Sequence, residues 1–487
     1  MMAMLARMLW LLLAILGIAL AGCAPPNKGA PATSGAQDTV EEQPTPADPV
    51  SAAALRRYGG AYTEGNIAAY LAATGRRLLM ANGLDPGAWR FTVLSSPVAN
   101  AFATERRDVF VTRGLLAVLQ DEAELAAVIG HEMAHIMAGH AAQRRAQEAR
   151  IFETAIRVAR STRDPQLALA FAEMELAQAR AYSREQEFEA DRIAIRLITT
   201  AGYDSGGALR SLQRLQDYTA LHLRELGLSP DAEAPQSRFA THPRTLDRAE
   251  AARAETGKGN GGRQEGDAYL DAIDGMLYGD APQEGFVRGR KFLHPELGFT
   301  FEVPPGYTLL NRSKSVQARG PGNAYMMFAC TSRQPEDGMV DAMRRLFPSV
   351  PLTEARTLTI NGLDAATGVT PRSANSGDIS GRVVTIRFPP GMCTFLLVSR
   401  ALGPPARARE MLRAAQTFRR LSPAEAAQVR PLRLAVVQVR PGDTVQRLVA
   451  RSPGDDAFRT ERFLMLNDLQ PGEPLTPGRR VKLVVSQ

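Results

Sequence analysis

Two imidazoles and a carboxylate stand within five residues in His131-Glu132-Met133-Ala134-His135. On an α-helix, residues four apart lie one turn on and about 40° round the axis, so both imidazoles project from one face. Neutral imidazoles at that spacing suit a zinc ion. Glu132 falls between them, where a carboxylate can take a proton from water activated by the metal. The chemistry implied is hydrolysis of a peptide bond. The flanking sequence supplies the helix. Asp121 followed by Glu124 reads as a capping box, and Leu125, Val128, Ile129 and Met133 form the stripe to be buried.

A catalytic zinc needs a third protein ligand and an open position. In Ser183-Arg184-Glu185-Gln186-Glu187-Phe188-Glu189-Ala190-Asp191-Arg192, Glu187 and Asp191 are four apart and share a helix face. One can bind the metal while the other holds a ligating imidazole by a hydrogen bond and fixes its tautomer. Glu185 and Glu189 point elsewhere by the same geometry. Taken alone, a charge-rich helix start of this kind is usually a solvated face. His140 falls about 140° round the axis from His135, off the ligand face, which leaves it a supporting or capping role.

Several elements must position these groups. Residues 66–82 have helical periodicity through Ile67, Tyr70, Leu71, Leu78 and Leu79, with Gly83 as a stop. Residues 90–94 and 108–112 read as short strands joined through 97–103. A sheet beside the metal helix can present an edge to which an extended substrate adds by main-chain hydrogen bonds. Equally, Glu105, Arg106, Arg107 and Asp108 could simply protect an ordinary edge. Residues 141–160 and 166–180 read as helices separated by the turn Asp164-Pro165, lying beside the cleft or serving packing alone.

His131-Glu132-x-x-His135 with Glu187-x-x-x-Asp191 resembles the peptidase family of HtpX, the CAAX prenyl proteases and the soluble periplasmic BepA-like proteins. Asn100-Ala101-Phe102-Ala103, Thr112-Arg113-Gly114-Leu115-Leu116, Glu124-Leu125-Ala126, Ala201-Gly202-Tyr203 and Thr241-His242-Pro243 extend the likeness over residues 55–255. It implies a mainly α zincin of the gluzincin type with a small β-sheet. It also implies one zinc held by His131, His135 and Glu187, with Glu132 as general base and then acid, and Asp191 orienting a ligand. Ala194 departs from the glycine usual in relatives. His242, in its Thr-His-Pro loop, could reach the open metal position or the oxyanion, or be structural only. Arg248 is a second candidate for a carboxylate or oxyanion contact. The implied substrates are misfolded or misassembled envelope proteins.

The 487 residues predict about three domains, and a hydrophobic content of 45% supports real cores. A net charge of +7 and a pI near 9.5 come from interspersed charges without a basic, aromatic-interleaved run, which disfavours nucleic acid. Residues 1–22 have the charged start and apolar run of an export signal. Leu20-Ala21-Gly22-Cys23 resembles the bacterial lipobox, which implies a lipid on Cys23; with Ala24 following, it implies the outer membrane, facing the periplasm. The alternative is an ordinary signal peptide. Residues 23–54, rich in Pro, Ala, Gly, Ser and Thr, read as a flexible stalk.

After residues 55–255, a Gly-rich break opens a linker with a short helix over 256–284, the helix at 269–277. Residues 285–420 read as an α+β accessory domain, weakly like the PsbP and Mog type. Its strands fall at 324–330, 355–360, 382–388 and 393–399, with helices at 339–346 and 406–417. Cys330 and Cys393 lie in two of those strands, either bonded in an exported chain or as buried thiols. Residues 434–487 carry Pro441-Gly442-Asp443-Thr444, Leu466-Asn467 and a closing strand at 481–485, and resemble a βααβ LysM module. That likeness implies peptidoglycan as a partner, although the helical part lacks the usual Trp or Ile-Ala pattern and leaves protein contact as the alternative. The reading is an exported, lipid-anchored zinc metalloendopeptidase. Its alternatives are an envelope chaperone or wall-tethered scaffold with a latent metal site, and a hydrolase of peptidoglycan stem peptides.

Overall fold

The computed structural model describes residues 49–162, 184–229, 245–257, 259–333, 338–370, 379–400, 412–453 and 457–486. The leader, Cys23, most of the stalk, the helix expected at 166–180 and His242 lie outside these residues. Pro46–Gly279 and Pro431–Gln487 together make one compact unit, and Asp280–Arg430 falls in another.

The first unit begins with α1 (Pro49–Arg57), six residues inside what the composition marks as stalk. The Ser51 hydroxyl donates to the Asp108 carboxylate at 2.5 Å, and Ala54 and Tyr58 pack against Leu94 and Phe110. Helix α2 (Ile67–Ala81) buries Ile67, Leu71, Leu78 and Leu79 as its period requires. The sheet has three strands, β1 (Arg90–Leu94), β2 (Ala101–Ala103) and β3 (Asp108–Thr112), in the order β1-β3-β2. Strand β1 runs parallel to β3 and β2 antiparallel to it, so residues expected as a connection form the edge strand. Asp108 does not guard that edge. It is buried and accepts from Arg90 at 2.5 and 2.9 Å.

Helices α3 (Arg113–Val118), α4 (Glu122–Met137), α5 (His140–Thr162), α6 (184–200), α7 (Gly206–Glu225), α8 (Thr245–Thr256) and α9 (Gly266–Ile273) follow, then strand β4 (Leu277–Tyr278). The helix expected at 269–277 thus starts earlier and gives way to a strand. Helix α4 is buried on nearly every side, and α7 crosses its start so closely that a β-carbon at Gly207 would lie 2.7 Å from the Ala123 backbone. The expected break at 256–266 is pinned rather than loose. Asp204 N donates to Arg263 O, Arg263 N to Gly202 O and Glu122 N to Gln264 O, at 2.9 to 3.0 Å.

In the second unit, strands β5 (Phe286–Arg288), β6 (Lys291–His294), β7 (Phe299–Glu302) and β15 (Arg419–Arg420) form one sheet. A seven-stranded antiparallel sheet holds β8 (Thr308–Arg312), β9 (Ser315–Gly320), β10 (Ala324–Thr331), β11 (Thr353–Ile360), β12 (Leu363–Val369), β13 (Ile379–Phe388) and β14 (Gly391–Arg400), in the order β11-β12-β13-β14-β10-β9-β8. Alternate residues along β14 face opposite cores, as a period of two requires. Phe395 and Leu397 join Phe292, Phe299, Phe301 and Phe418, while Leu396 and Val398 meet α10 (Met339–Leu346). Cys330 and Cys393 stand opposite each other in β10 and β14, with Cα atoms 4.0 Å apart, and are disulfide-bonded. Helices α11 (412–416) and α12 (Pro423–Gln428) close this unit.

The chain then returns to the first unit with β16 (Leu432–Gln438), α13 (Val445–Val449), α14 (Arg459–Leu466) and β17 (Arg480–Ser486), the expected βααβ order. Strand β16 pairs with β17 on one side and with β4 on the other. The fully buried Lys482 ammonium donates to the carbonyls of Ala117 and Leu119 at 2.9 and 2.8 Å and approaches that of Val118 at 3.5 Å. These carbonyls lie at the end of α3, where the helix has no further turn to bond them, and that of Val118 also accepts from the Gln120 side-chain amide at 2.8 Å. Arg214 of α7 also pairs with Asp468, and Arg462 with Glu225 at 2.6 Å.

Candidate metal centre

Both ends of α4 are fixed before any chemistry is considered. At its start the Asp121 carboxylate accepts from Glu124 N at 2.7 Å. The expected reciprocal bond is displaced by one residue, since Glu124 accepts from Gln120 N at 2.8 Å. Glu122 is held by the hydroxyls of Tyr70 and Tyr203 and by Arg77, which gives the Ala-Gly-Tyr motif its work. At the far end Gly139 adopts φ +68° and breaks the helix. Midway, a β-carbon at Gly130 would lie 3.5 Å from Ala194, so the methyl that departs from the relatives' pattern packs against a glycine of α4.

Helix α6 crosses here and delivers Glu187, which is 1% exposed, to the two imidazoles. His131 Nε2 and His135 Nε2 lie 3.0 Å apart, and each is 3.4 Å from a Glu187 carboxylate oxygen. Among the described residues these three side chains form the one group of His, Cys, Asp and Glu able to hold a metal ion, their ligand atoms all within 4.8 Å. Ligands at 2.0–2.2 Å from a tetrahedral zinc lie roughly 3.3 Å from one another, so the spacing fits that ion. The donor set of two imidazoles and a carboxylate fits it too.

Asp191, one turn beyond Glu187, accepts from His131 Nδ1 at 2.9 Å, which leaves Nε2 directed at the cluster. Arg248 of α8 grips both Asp191 oxygens through Nε and a terminal nitrogen at 2.7 Å, and its other terminal nitrogen is 3.1 Å from Glu187. Burial would raise the Asp191 carboxyl, but Arg248 and His131 outweigh it and hold it well below the usual carboxylate range. Burial and Arg248 push the His131 imidazole down, while Asp191 and Glu187 outweigh both and hold it at about 9. Sequence reasoning placed Arg248 among candidates for a carboxylate contact, and the structure shows which carboxylates.

His140 stays outside the ligand group, in the supporting position expected, but it touches His135 directly. The helical angle from His135 assumes an unbroken helix, and the turn at Gly139 folds His140 back until its Nδ1 lies 2.9 Å from Nδ1 of His135. Glu189, expected to point elsewhere, reaches His140 Nε2 at 3.4 Å.

Glu132 is 4% exposed and lines two cavities. One, of about 390 Å³, runs between the edge strand β2 with its following turn (Phe102, Ala103, Glu105) and the metal side (Glu132, His135, Arg144). The other, of about 70 Å³, is bounded by His131, Glu132, Asp191 and Arg248 together with apolar Val128 and Leu212. The Glu132 carboxylate, His135 of the cluster and the edge of β2, paired only with β3 among the described residues, thus border one groove.

Residues 67–256 match the model for Peptidase family M48. Mitochondrial metalloendopeptidase OMA1 of Schizosaccharomyces pombe is 30% identical over 146 residues, covering 30% of this chain and 43% of that protein. The putative beta-barrel assembly-enhancing protease of Vibrio cholerae is 28% identical over 190 residues, covering 37% of each. The beta-barrel assembly-enhancing protease of Yersinia pestis is 28% identical over 157 residues, covering 30% of this chain and 32% of that one. The chain therefore spans less than half the length of these relatives. Family and relatives together support a metalloendopeptidase. Among solved structures, cyanobacterial PsbP (CyanoP) from Synechocystis aligns over 29% of this chain and 98% of its own, at 12% identity and a TM-score of 0.23.

Proposed function

We propose that the chain is a zinc-dependent metalloendopeptidase that cuts extended segments of unfolded or misassembled envelope proteins. The observation that carries this reading is the convergence of His131, His135 and Glu187 beside Glu132 at the edge of β2. A bound zinc supplies Lewis acidity and makes water a nucleophile near neutral pH. Glu132 accepts the proton of the attacking water and returns it to the leaving amine. Asp191 holds His131 in one tautomer, and Arg248 bridges Asp191 and Glu187. Strand β2, paired only with β3 among the described residues, offers main-chain groups that would align a polypeptide in extended form. Folded proteins present few such segments, which favours unfolded ones.

The placement in the cell is part of the proposal. Leu20-Ala21-Gly22-Cys23 supports a lipid on Cys23 and attachment to the outer membrane on its periplasmic side, and the names of the beta-barrel assembly-enhancing relatives agree with an envelope role. No described helix is long and apolar enough to cross a membrane. The βααβ order of 432–486 supports a LysM-like module with peptidoglycan as a further contact. Zinc-loaded protein incubated with denatured casein beside disaccharide-peptide muropeptides tests the substrate class. Internal cuts in casein alone are expected; muropeptide cleavage with casein intact would overturn it.

A further inference from the structure

We infer that Glu189 and His140 set the tautomer of His135 and thereby make it a metal ligand, an inference that rests on the metal reading above. Nε2 of His135 faces the cluster, 3.0 Å from His131 Nε2 and 3.4 Å from Glu187. It can ligate a cation only with its lone pair unprotonated, so the ring proton of neutral His135 belongs on Nδ1. That nitrogen lies 2.9 Å from His140 Nδ1, with room for one hydrogen between them. Two arrangements are open. With the hydrogen on His140, His135 carries its own proton on Nε2, inside the ligand cluster. With the hydrogen on His135, His140 carries its proton on Nε2, where Glu189 stands at 3.4 Å.

A carboxylate oxygen accepts, so Glu189, 3.4 Å from His140 Nε2, selects the second arrangement. The direction of donation then runs one way, from His135 Nδ1–H to His140 Nδ1 and from His140 Nε2–H to Glu189. No proton moves; the chain fixes polarity. His140 is 0% exposed, so its polarity is set by protein groups rather than by bulk water. The parallel with His131 is direct, since Asp191 accepts from its Nδ1 at 2.9 Å. Helix α6 therefore supplies Glu187 as a ligand and, two residues later and four residues later, the carboxylates that orient His135 and His131. His135 and His140 are brought together by the turn at Gly139.

Glu189 is a positioning residue, and its side chain is 53% exposed, so its replacement leaves the core intact. The test uses the full chain, labelled with 15N and loaded with zinc. Long-range proton–nitrogen spectra should show His135 protonated at Nδ1 and His140 at Nε2. Glu189→Ala should release zinc to a chelator about tenfold faster, at the low end of the cost of outer-layer changes at metal sites. Glu189→Gln should stay within about twofold of wild type, because its carbonyl still accepts. His140 protonated at Nδ1 in the zinc-loaded wild type would overturn the inference. So would wild-type zinc release from Glu189→Ala, or a Gln variant as impaired as the Ala one. Failure of the wild-type chain to bind zinc would refute the metal reading and this inference together; the other outcomes strike this inference alone.

Discussion

Lys482→Met tests how the C-terminal βααβ segment is held to the peptidase side. Burial pushes the Lys482 ammonium down to about 7, so placing a charge there carries a cost. The three carbonyls at the end of α3 offset it, two of them at 2.8 and 2.9 Å. Methionine keeps the volume and removes both the charge and the donors. If the desolvation cost were the larger effect, the variant would gain stability, as apolar replacements of buried charges can. The carbonyls decide against that outcome, because methionine takes the Lys482 donor from those of Ala117 and Leu119, at roughly 1–3 kcal/mol each, while that of Val118 keeps the Gln120 amide at 2.8 Å. With two good bonds lost, the expected destabilisation is about 3–5 kcal/mol, or a fall in Tm on the order of 10 °C. Ala117, Val118 and Leu119 lead directly into Gln120 and the Asp121 cap of α4, so the variant should also bind zinc more weakly. Thermal unfolding followed by circular dichroism, with zinc affinity measured in parallel, reads both effects. A Tm within about 2 °C of wild type, or above it, would refute the reasoning.

Other consequences follow from single contacts. Asp191→Ala removes the acceptor of His131 and leaves the Arg248 guanidinium without its two-point partner, and zinc affinity by chelator competition should fall about 10- to 100-fold. Breaking the Cys330–Cys393 bond, which spans 63 residues of sequence, with a double Ser variant should cost residues 280–430 about 4 kcal/mol in urea unfolding. Burial holds the His294 imidazole down at about 4. A depressed value means that its contribution is complete above pH 6.5 and lost as pH falls through about 4. That unit should lose up to about 3 kcal/mol across this window, and His294→Gln should flatten the profile.

The His-His-Glu cluster was legible because its signals are local. His131 and His135 on one helix, and Glu187 and Asp191 on another, each need only a spacing of four, and helical geometry does the rest. Where the helix stops, the same rule misleads: Gly139 turns His140 back onto His135, and no projection round a cylinder anticipates that contact. Strand β2 escaped notice because Ala101-Phe102-Ala103 has no β-branched residue and too few positions to show alternation. Strand β12, with its run of Ala, Thr and Gly, is a strand because β11 and β13 flank it, a tertiary cause. The glycines of 256–266 suggested a loose linker, whereas the segment is bonded to Asp204, Gly202 and Glu122. Nothing local in the sequence marks Lys482 for burial, and only the ends of α3 and β17 meeting in space give it a role.

The most direct test of the central claim is the zinc content of the purified full-length chain together with its cleavage of denatured casein, wild type beside Glu132→Gln. The account predicts one zinc per chain in both proteins and cleavage by the wild type alone, because the substitution leaves His131, His135 and Glu187 in place while a glutamine amide cannot act as the base. A wild-type chain that holds no zinc, or a Glu132→Gln variant that cuts casein at the wild-type rate, would contradict it.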